Sequence, residues 1–235
     1  MDSFNHLGRP LRTLAVISSK GGSGKTTLAL HLAVAAVAAG RKTLIADTDP
    51  QKSALEWRQA RSAAAPEVAV VQPAMLRRLK DAIERARFQL MVIDTPPVAG
   101  GNVLDAIAAA DLTLIVARPS MLDLWSVEYS AEQVRAARGR AMFVLSQAPS
   151  RRGESESAAV VDAVERLTGY GFPVASIGLR ARVAYSHSVG SGRTTQEVEP
   201  NGVASREVSR LAELVFAKLW RPIAVSEGFP AQLRT

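Results

Sequence analysis

Cysteine is absent from the 235 residues, which excludes disulfides, thiolate zinc sites and cysteine-ligated iron–sulfur clusters and is compatible with a reducing cytosol. No apolar run approaches the roughly 20 residues that cross a bilayer. The most apolar stretch, Leu28 to Ala39, is interrupted by His31. The opening MDSFNHLGRP is polar and has no signal-peptide core, so residues 1–10 read as a disordered leader. Beyond Trp220 the tail carries two prolines and little charge, and residues 222–235 are not expected to form a basic amphipathic membrane anchor. No internal repeat or low-complexity segment stands out. What is present is 47% hydrophobic content, ample for one α/β domain over residues 11–221 with helices covering both sheet faces.

Short continuous apolar runs alternate with helix-like segments. Strands are expected near Thr13–Ser18, Thr43–Ala46, Val68–Val71, Leu90–Ile93, Leu112–Ala117, Ala141–Leu145 and Val174–Ile177. Helices fill the gaps at Lys25–Ala39, Ser53–Ala63, Ala74–Ala86, Leu124–Ala137, Glu154–Leu167 and Val203–Leu219, with Gly40 placed as a helix-ending glycine. Strands without polar alternation are buried on both faces, so the pattern predicts a single doubly wound, mostly parallel sheet. In the last helix Val208, Leu211, Leu214, Val215 and Leu219 form the packing face.

The segment KGGSGKTT, Lys20 to Thr27, follows the apolar run Leu14 to Ile17 and precedes the Ala/Leu/Val helix. That is the strand, loop and helix setting of a phosphate-binding loop. Gly21, Gly22 and Gly24 lack the Cβ atoms that would stop N–H groups turning onto phosphate oxygens, and Ser23 and Thr27 complete the cradle. Lys25 brings charge to the β- and γ-phosphates, and Thr26 offers its hydroxyl to Mg²⁺. The loop departs from the general pattern: Ser19 stands at its first glycine position and is followed by a second lysine. Lys20, so early in the loop, can project toward a nucleotide held by another subunit. A flexible Gly/Ser linker would share the composition but not the flanking strand and helix.

Two acidic stations follow. In LIADTDPQ, residues 44–51, Asp47 and Asp49 leave the carboxyl end of the second strand, where ligands of parallel sheets sit, and one of them can orient water for attack on a γ-phosphate. In LMVIDTPP, residues 90–97, Asp94 ends a strand where a carboxylate holds Mg²⁺ through water, and Pro96 and Pro97 stiffen the loop after it. A lone strand-end aspartate is usually a turn former. Three stations in topological order make a nucleotide site the better account.

Net charge is +7, a field that suits an anionic partner. From Gln133 to Gly153 stand Arg135, Arg138, Arg140, Arg151 and Arg152 without an acid, and Val174 to Gln196 holds Arg180, Arg182 and Arg193 without one.

On these motifs, with DTDPQKSALEWRQAR, VARPSMLDLWSV and GLRARVAYSHSVGSGRTTQE, the chain resembles the ParA/MinD family of deviant Walker-A ATPases over nearly its whole length, most of all the small ParF-type proteins. About ten residues before the first strand leave no room for the helix-turn-helix domain of larger members. The resemblance implies an ATPase that forms a homodimer around Mg²⁺-ATP, binds DNA without sequence preference and drives plasmid or chromosome partition when a ParB-like or other adaptor stimulates hydrolysis. It would be cytoplasmic, nucleoid-associated when loaded and not membrane-bound. It implies Lys20 as the lysine acting across the dimer, Lys25 acting within its own subunit, Thr26 and Asp94 serving Mg²⁺, and Asp49 positioning water. The base is expected near Gln147 and the Arg180–Arg182 loop, and DNA at Arg180, Arg182, Arg193, Arg206 and Arg210. A positioning ATPase for another cargo, such as a chemoreceptor cluster or conjugation complex, would share this chemistry. A membrane-cycling MinD-type protein needs the anchor that the tail does not supply. An iron-protein-type reductase needs cysteines, and a tyrosine kinase needs clustered terminal tyrosines, whereas Tyr129, Tyr170 and Tyr185 are scattered. A non-catalytic DNA-binding module would leave Lys25, Asp49 and Asp94 unexplained.

Overall fold

A computed structural model describes residues 10–97, 102–151, 153 and 155–220. Most of the expected leader, the 222–235 tail, Arg152 and Glu154, the first residue of a predicted helix, lie outside them. Six strands, β1 (Arg12–Ile17), β2 (Thr43–Asp47), β3 (Glu67–Val70), β4 (Leu90–Asp94), β5 (Leu112–Ala117) and β6 (Ala141–Leu145), form one all-parallel sheet in the order β3-β2-β4-β1-β5-β6. Successive residues point to opposite faces of a strand. Leu14 and Val16 of β1 therefore join one core with Leu90, Val92, Leu114 and Val116, while Ala15 and Ile17 join a second with Met91, Ile93 and Ile115. Burial on both faces is what the unbroken apolar runs anticipate.

Among the described residues the helices are α1 (Lys25–Ala38), α2 (Ser53–Ala60), α3 (Leu76–Arg85), α4 (Asn102–Ala109), α5 (Met121–Ala136), α6 (Ala158–Thr168), α7 (Val183–Gly190), α8 (Thr195–Val198) and α9 (Val203–Trp220). The first core lies under α1 and α9, the second under α3 to α6. Leu28, Leu30 and Leu32 of α1 are all fully buried, each contributing about 1.5–3 kcal/mol of transfer free energy. Gly40 ends α1 with φ +75° as expected, its N–H donating to the Val37 carbonyl at 2.9 Å.

The predicted seventh strand, Val174–Ile177, is corrected by the structure. The Ala175 N–H donates to the Phe143 carbonyl (2.8 Å) and the Leu179 N–H to the Leu145 carbonyl (2.9 Å), so four residues of this segment run against two of β6. The surplus bulges out, and only isolated bridges remain. Gly178 permits the return, since a Cβ there would stand 2.4 Å from the Leu145 carbonyl oxygen.

Other boundaries shift for local reasons. α2 stops at Ala60 because Arg61 turns extended, its guanidinium gripping Glu197 at 2.6 and 2.9 Å. α3 is preceded by a 3₁₀ turn at Pro73–Met75. α5 starts three residues early, capped by Ser120. α4, α7 and α8 are short helices the apolar pattern does not announce.

Candidate active site

Between Ile17 and Lys25 the chain turns through Gly22 and Gly24 at φ +69° and +89°, backbone that a side chain would strain. A Cβ on Gly24 would meet Ser146 Oγ at 2.6 Å, so the residue after β6 floors the loop. α1 opens with no side-chain cap and no acid in its first turn. Its free N–H groups and positive dipole end are thus available to an anion. Gln147, itself at φ +52°, donates from Nε2 to the Gly22 carbonyl at 2.6 Å.

Lys25 is 6% exposed, and its Nζ donates to the Lys20 carbonyl at 3.3 Å. Burial lowers its pKa, while Asp94 and Asp49 pull it upward. Asp94, at the end of β4, is fully buried and neither of its oxygens makes a well-formed hydrogen bond. Burial pushes its pKa up to about 7, opposed by the Thr26 hydroxyl and the Lys25 charge and reinforced by Asp47 and Asp49. A buried carboxylate without partners is costly unless a cation or its water shell meets it. Mg²⁺, which keeps most of its waters and needs one or two carboxylates beside phosphate oxygens, fits that donor set.

Asp47 has a different task. It is buried, aligned with Asp94 across β2 and β4, and accepts the N–H groups of Asp49 (3.2 Å) and Leu55 (3.1 Å). Burial raises its pKa. These bonds shape the turn that lifts Asp49 to the rim of a cleft of about 360 Å³, which Gly21 to Thr27, Gln51, Ser53, Pro97 and Gln147 also line. A neighbouring cavity of about 450 Å³ is walled by Gly24, Thr27, Ser146, Gln147 and residues 179–183, 185 and 186. The two regions nominated for the base are brought together there.

Lys20 is folded onto its own chain. Its Nζ lies 4.0 Å from Asp123 Oδ1, with its side chain 38% exposed. Asp123 also accepts from Arg118 (Nη2, 3.1 Å). The preceding Ser19 donates to the Ser126 carbonyl at 2.5 Å and meets Ser130 Oγ at 2.6 Å. The only sign of this α5 anchorage in the sequence is the helix-capping spacing of Ser120 and Asp123. Ser146, Gln51 and Ser53 carry no such signal.

His31 links the loop to the far layer. Its Nδ1 meets the Thr27 carbonyl at 2.7 Å and its Nε2 accepts the Thr195 N–H at 3.2 Å. Burial lowers its pKa to about 4 against a nearby carbonyl and Glu197. Between pH 4 and 6.5 the unfolded chain binds a proton here that the folded chain refuses, so this group makes stability rise with pH by about 3 kcal/mol over the window. Asp94 acts oppositely: its folded pKa near 7 lies above the usual 3.8, so its share is complete at low pH and lost as pH rises through 7. The nucleotide-free protein is expected to show a shallow net profile from this pair. His31→Gln should unmask a decline with rising pH in urea unfolding, and a profile unchanged by that substitution would refute the opposition.

Of the arginines nominated for DNA, Arg180 pairs with Glu156 at 2.7 and 2.6 Å and Arg182 with Glu207 at 2.6 Å. The Arg180 guanidinium holds the Glu156 carboxyl down at about 2. Arg206 and Arg210 join these two and Arg151 along one groove of about 490 Å³. Arg193 is held elsewhere, bonded to the Glu197 carbonyl, while its own carbonyl accepts the Trp57 indole N–H at 3.1 Å.

The family described as the CobQ/CobB/MinD/ParA nucleotide binding domain matches residues 14–195. The chain belongs to it. This CobQ/CobB/MinD/ParA protein is 34% identical over 182 residues, 77% of its length and 82% of the relative's, to the maintenance of carboxysome distribution protein A of Gloeobacter kilaueensis. It is 25% identical to the chromosome-partitioning ATPase Soj of Thermus thermophilus, over 89% of the chain and 97% of Soj. In fold it is similar to apo McdA of Cyanothece, with TM-score 0.73 and 18% identity over 89% of the chain and 99% of that one. The MinD cell division ATPase of Pyrococcus furiosus follows, with TM-score 0.67 and 19% identity over 88% and 98%. Among the described residues no helix is long and apolar enough to cross a membrane.

Proposed function

We propose that this protein is a ParA-type positioning ATPase that dimerises on Mg²⁺-ATP, holds DNA while loaded, and lets go after an adaptor stimulates hydrolysis. The observation that carries the reading is the vertical order at the loop. A buried Lys25 faces Asp94, whose oxygens make no well-formed hydrogen bond, beneath the cradle, Asp49 stands on its rim, and a second lysine is parked outside it. In this scheme the α1 N-terminus and Lys25 bind the triphosphate, Asp49 orients water, and Thr26 and Asp94 would hold Mg²⁺, which neutralises charge on the β- and γ-phosphates when bound. Lys20 leaves Asp123 to reach the nucleotide of a second copy, tying hydrolysis to assembly.

The cargo favoured is a large assembly spaced along the nucleoid, in keeping with a relative named for carboxysome distribution. Partition of a plasmid or chromosome would use the same cycle with another adaptor. Light scattering after size exclusion, with ATP or a slowly hydrolysed analogue, is expected to give a dimer that retards mixed-sequence duplex DNA in a gel. A protein that remains monomeric at saturating nucleotide would defeat the proposal.

A further inference from the structure

In a parallel sheet every strand begins on one edge, and here that edge lies opposite the phosphate loop. Three helices end on it with the same pair of closing hydrogen bonds. The Arg41 N–H donates to the Ala36 carbonyl and Gly40 N–H to Val37; Phe88 to Ile83 and Arg87 to Glu84; Gly139 to Val134 and Arg138 to Arg135, all at 2.9–3.0 Å. This closure puts one residue in the left-handed conformation, where glycine is unstrained. α1 uses Gly40 there, whereas α3 and α5 use Arg87 (φ +62°) and Arg138 (φ +52°). A helix dipole accounts for positive charge at these ends. It does not account for a long side chain in the one conformation that penalises it.

Both guanidinium groups are exposed, and among the described residues neither has an ion-pair or hydrogen-bond partner. They do not stand alone. Lys42, just before β2, is exposed and donates from Nζ to the Ala86 carbonyl at 3.1 Å. Arg140, just before β6, is exposed and donates to the Lys218 carbonyl at 2.9 Å. Asp111 on this edge is already met by Arg12 at 3.7 Å and Lys80 at 3.9 Å, and Glu84 is the acid nearest Arg87 in sequence. From β2 to β6 the row crosses five strands, about 19 Å at the usual strand spacing, roughly half a turn of duplex measured along the helix axis. None of the exposed large apolar side chains among the described residues belongs to the row. A bilayer surface would want such residues, and a phosphate backbone does not.

We infer that the amino-end edge of the sheet docks the phosphate backbone of duplex DNA, with Arg87 and Arg138 as its strained outer contacts. The inference rests on the reading that the loaded protein works on DNA, and it locates a surface separate from the groove of Arg180, Arg182, Arg206 and Arg210. Because this edge is remote from the nucleotide cleft, DNA held there leaves the cleft free for a second copy.

The full chain with Arg87→Gly and Arg138→Gly provides the test, since glycine relieves the backbone while removing both charges. Expected are an unchanged or higher thermal midpoint, intact ATP-dependent dimerisation, roughly tenfold weaker binding of mixed-sequence duplex by fluorescence anisotropy, and a salt slope shallower by about 1.8 per protomer. Asparagine, which also tolerates this conformation, serves as the second variant if the glycine protein misfolds. Unchanged affinity and slope would overturn the inference. If Arg206→Ala with Arg210→Ala removed DNA binding while the glycine variant kept it, the DNA reading would stand and this surface would fall. A wild type that ignores DNA would bring down both, and binding of phosphatidylserine vesicles in place of DNA would assign the edge to membranes and refute it.

Discussion

Asp94→Asn is expected to make the nucleotide-free protein more stable and the proposed ATPase much slower. With its carboxyl at about 7 when folded, Asp94 binds a proton more tightly in the folded than the unfolded chain, so above pH 7 the native state bears a buried charge that Thr26 and Lys25 offset only in part. Removing that charge should raise stability on the order of 2–4 kcal/mol at pH 8, with little change near pH 4. The same substitution takes away the group that would anchor the hydrated metal, and Mg²⁺-dependent turnover should fall by roughly 10–100-fold or more. Urea unfolding at both pH values beside a phosphate-release assay measures the two effects. A variant that is destabilised at pH 8 would show that Thr26 and Lys25 outweigh the cost of burying the Asp94 charge. In the wild type, Mg²⁺ held at Asp94 would compete with its proton, so nucleotide-dependent metal affinity should weaken below pH 7.

Lys20→Ala should separate nucleotide binding from hydrolysis. Lys25 and the α1 N-terminus, which form the cradle, are untouched, so ATP affinity of the isolated subunit is expected to hold within a few-fold. Adaptor-stimulated hydrolysis should fall by roughly 10³–10⁵, the effect of a charge supplied across an interface in related phosphoryl transfer. The ion pair lost with Asp123, at 4.0 Å and partly exposed, is worth little, about 0–1 kcal/mol, so the folded protein should survive. Single-turnover kinetics with a fluorescent analogue measures binding and chemistry separately. Full stimulated turnover in the variant would remove Lys20 from the mechanism.

Much of the candidate site was legible because it is written in contiguous residues that the fold brings together: the loop from Lys20 to Thr27 and the strand ends at Asp47, Asp49 and Asp94. Gln147 was legible as the position after a far strand that closes the crevice, and it lines both cavities. What stayed hidden depends on contacts far apart in sequence. Ser19 bonds residues more than 100 positions away on α5, and the seventh strand fails only because the register against β6 slips. The short helix α7 is rich in serine and β-branched residues with weak intrinsic helical preference, and tertiary contacts such as the His31–Tyr185 ring pair, centroids 5.3 Å apart, hold it in place. Charge counts likewise could not separate arginines paired with Glu156 and Glu207 from unpaired ones, since a salt bridge is a fact of three dimensions.

The close approach of Ser146 to Gly24, which leaves no room for a Cβ, has a consequence for how ligand preference could drift in this lineage. Gly24, Thr27 and Gln147 line both compartments, so a mutation that reshapes the room proposed for the base would also disturb the grip on the tail. On the proposed function, adenine preference and triphosphate affinity would be mechanically yoked, and a change of fuel would have to begin on the outer wall, around residues 179–183, which line the cavity for the base but not the loop cleft.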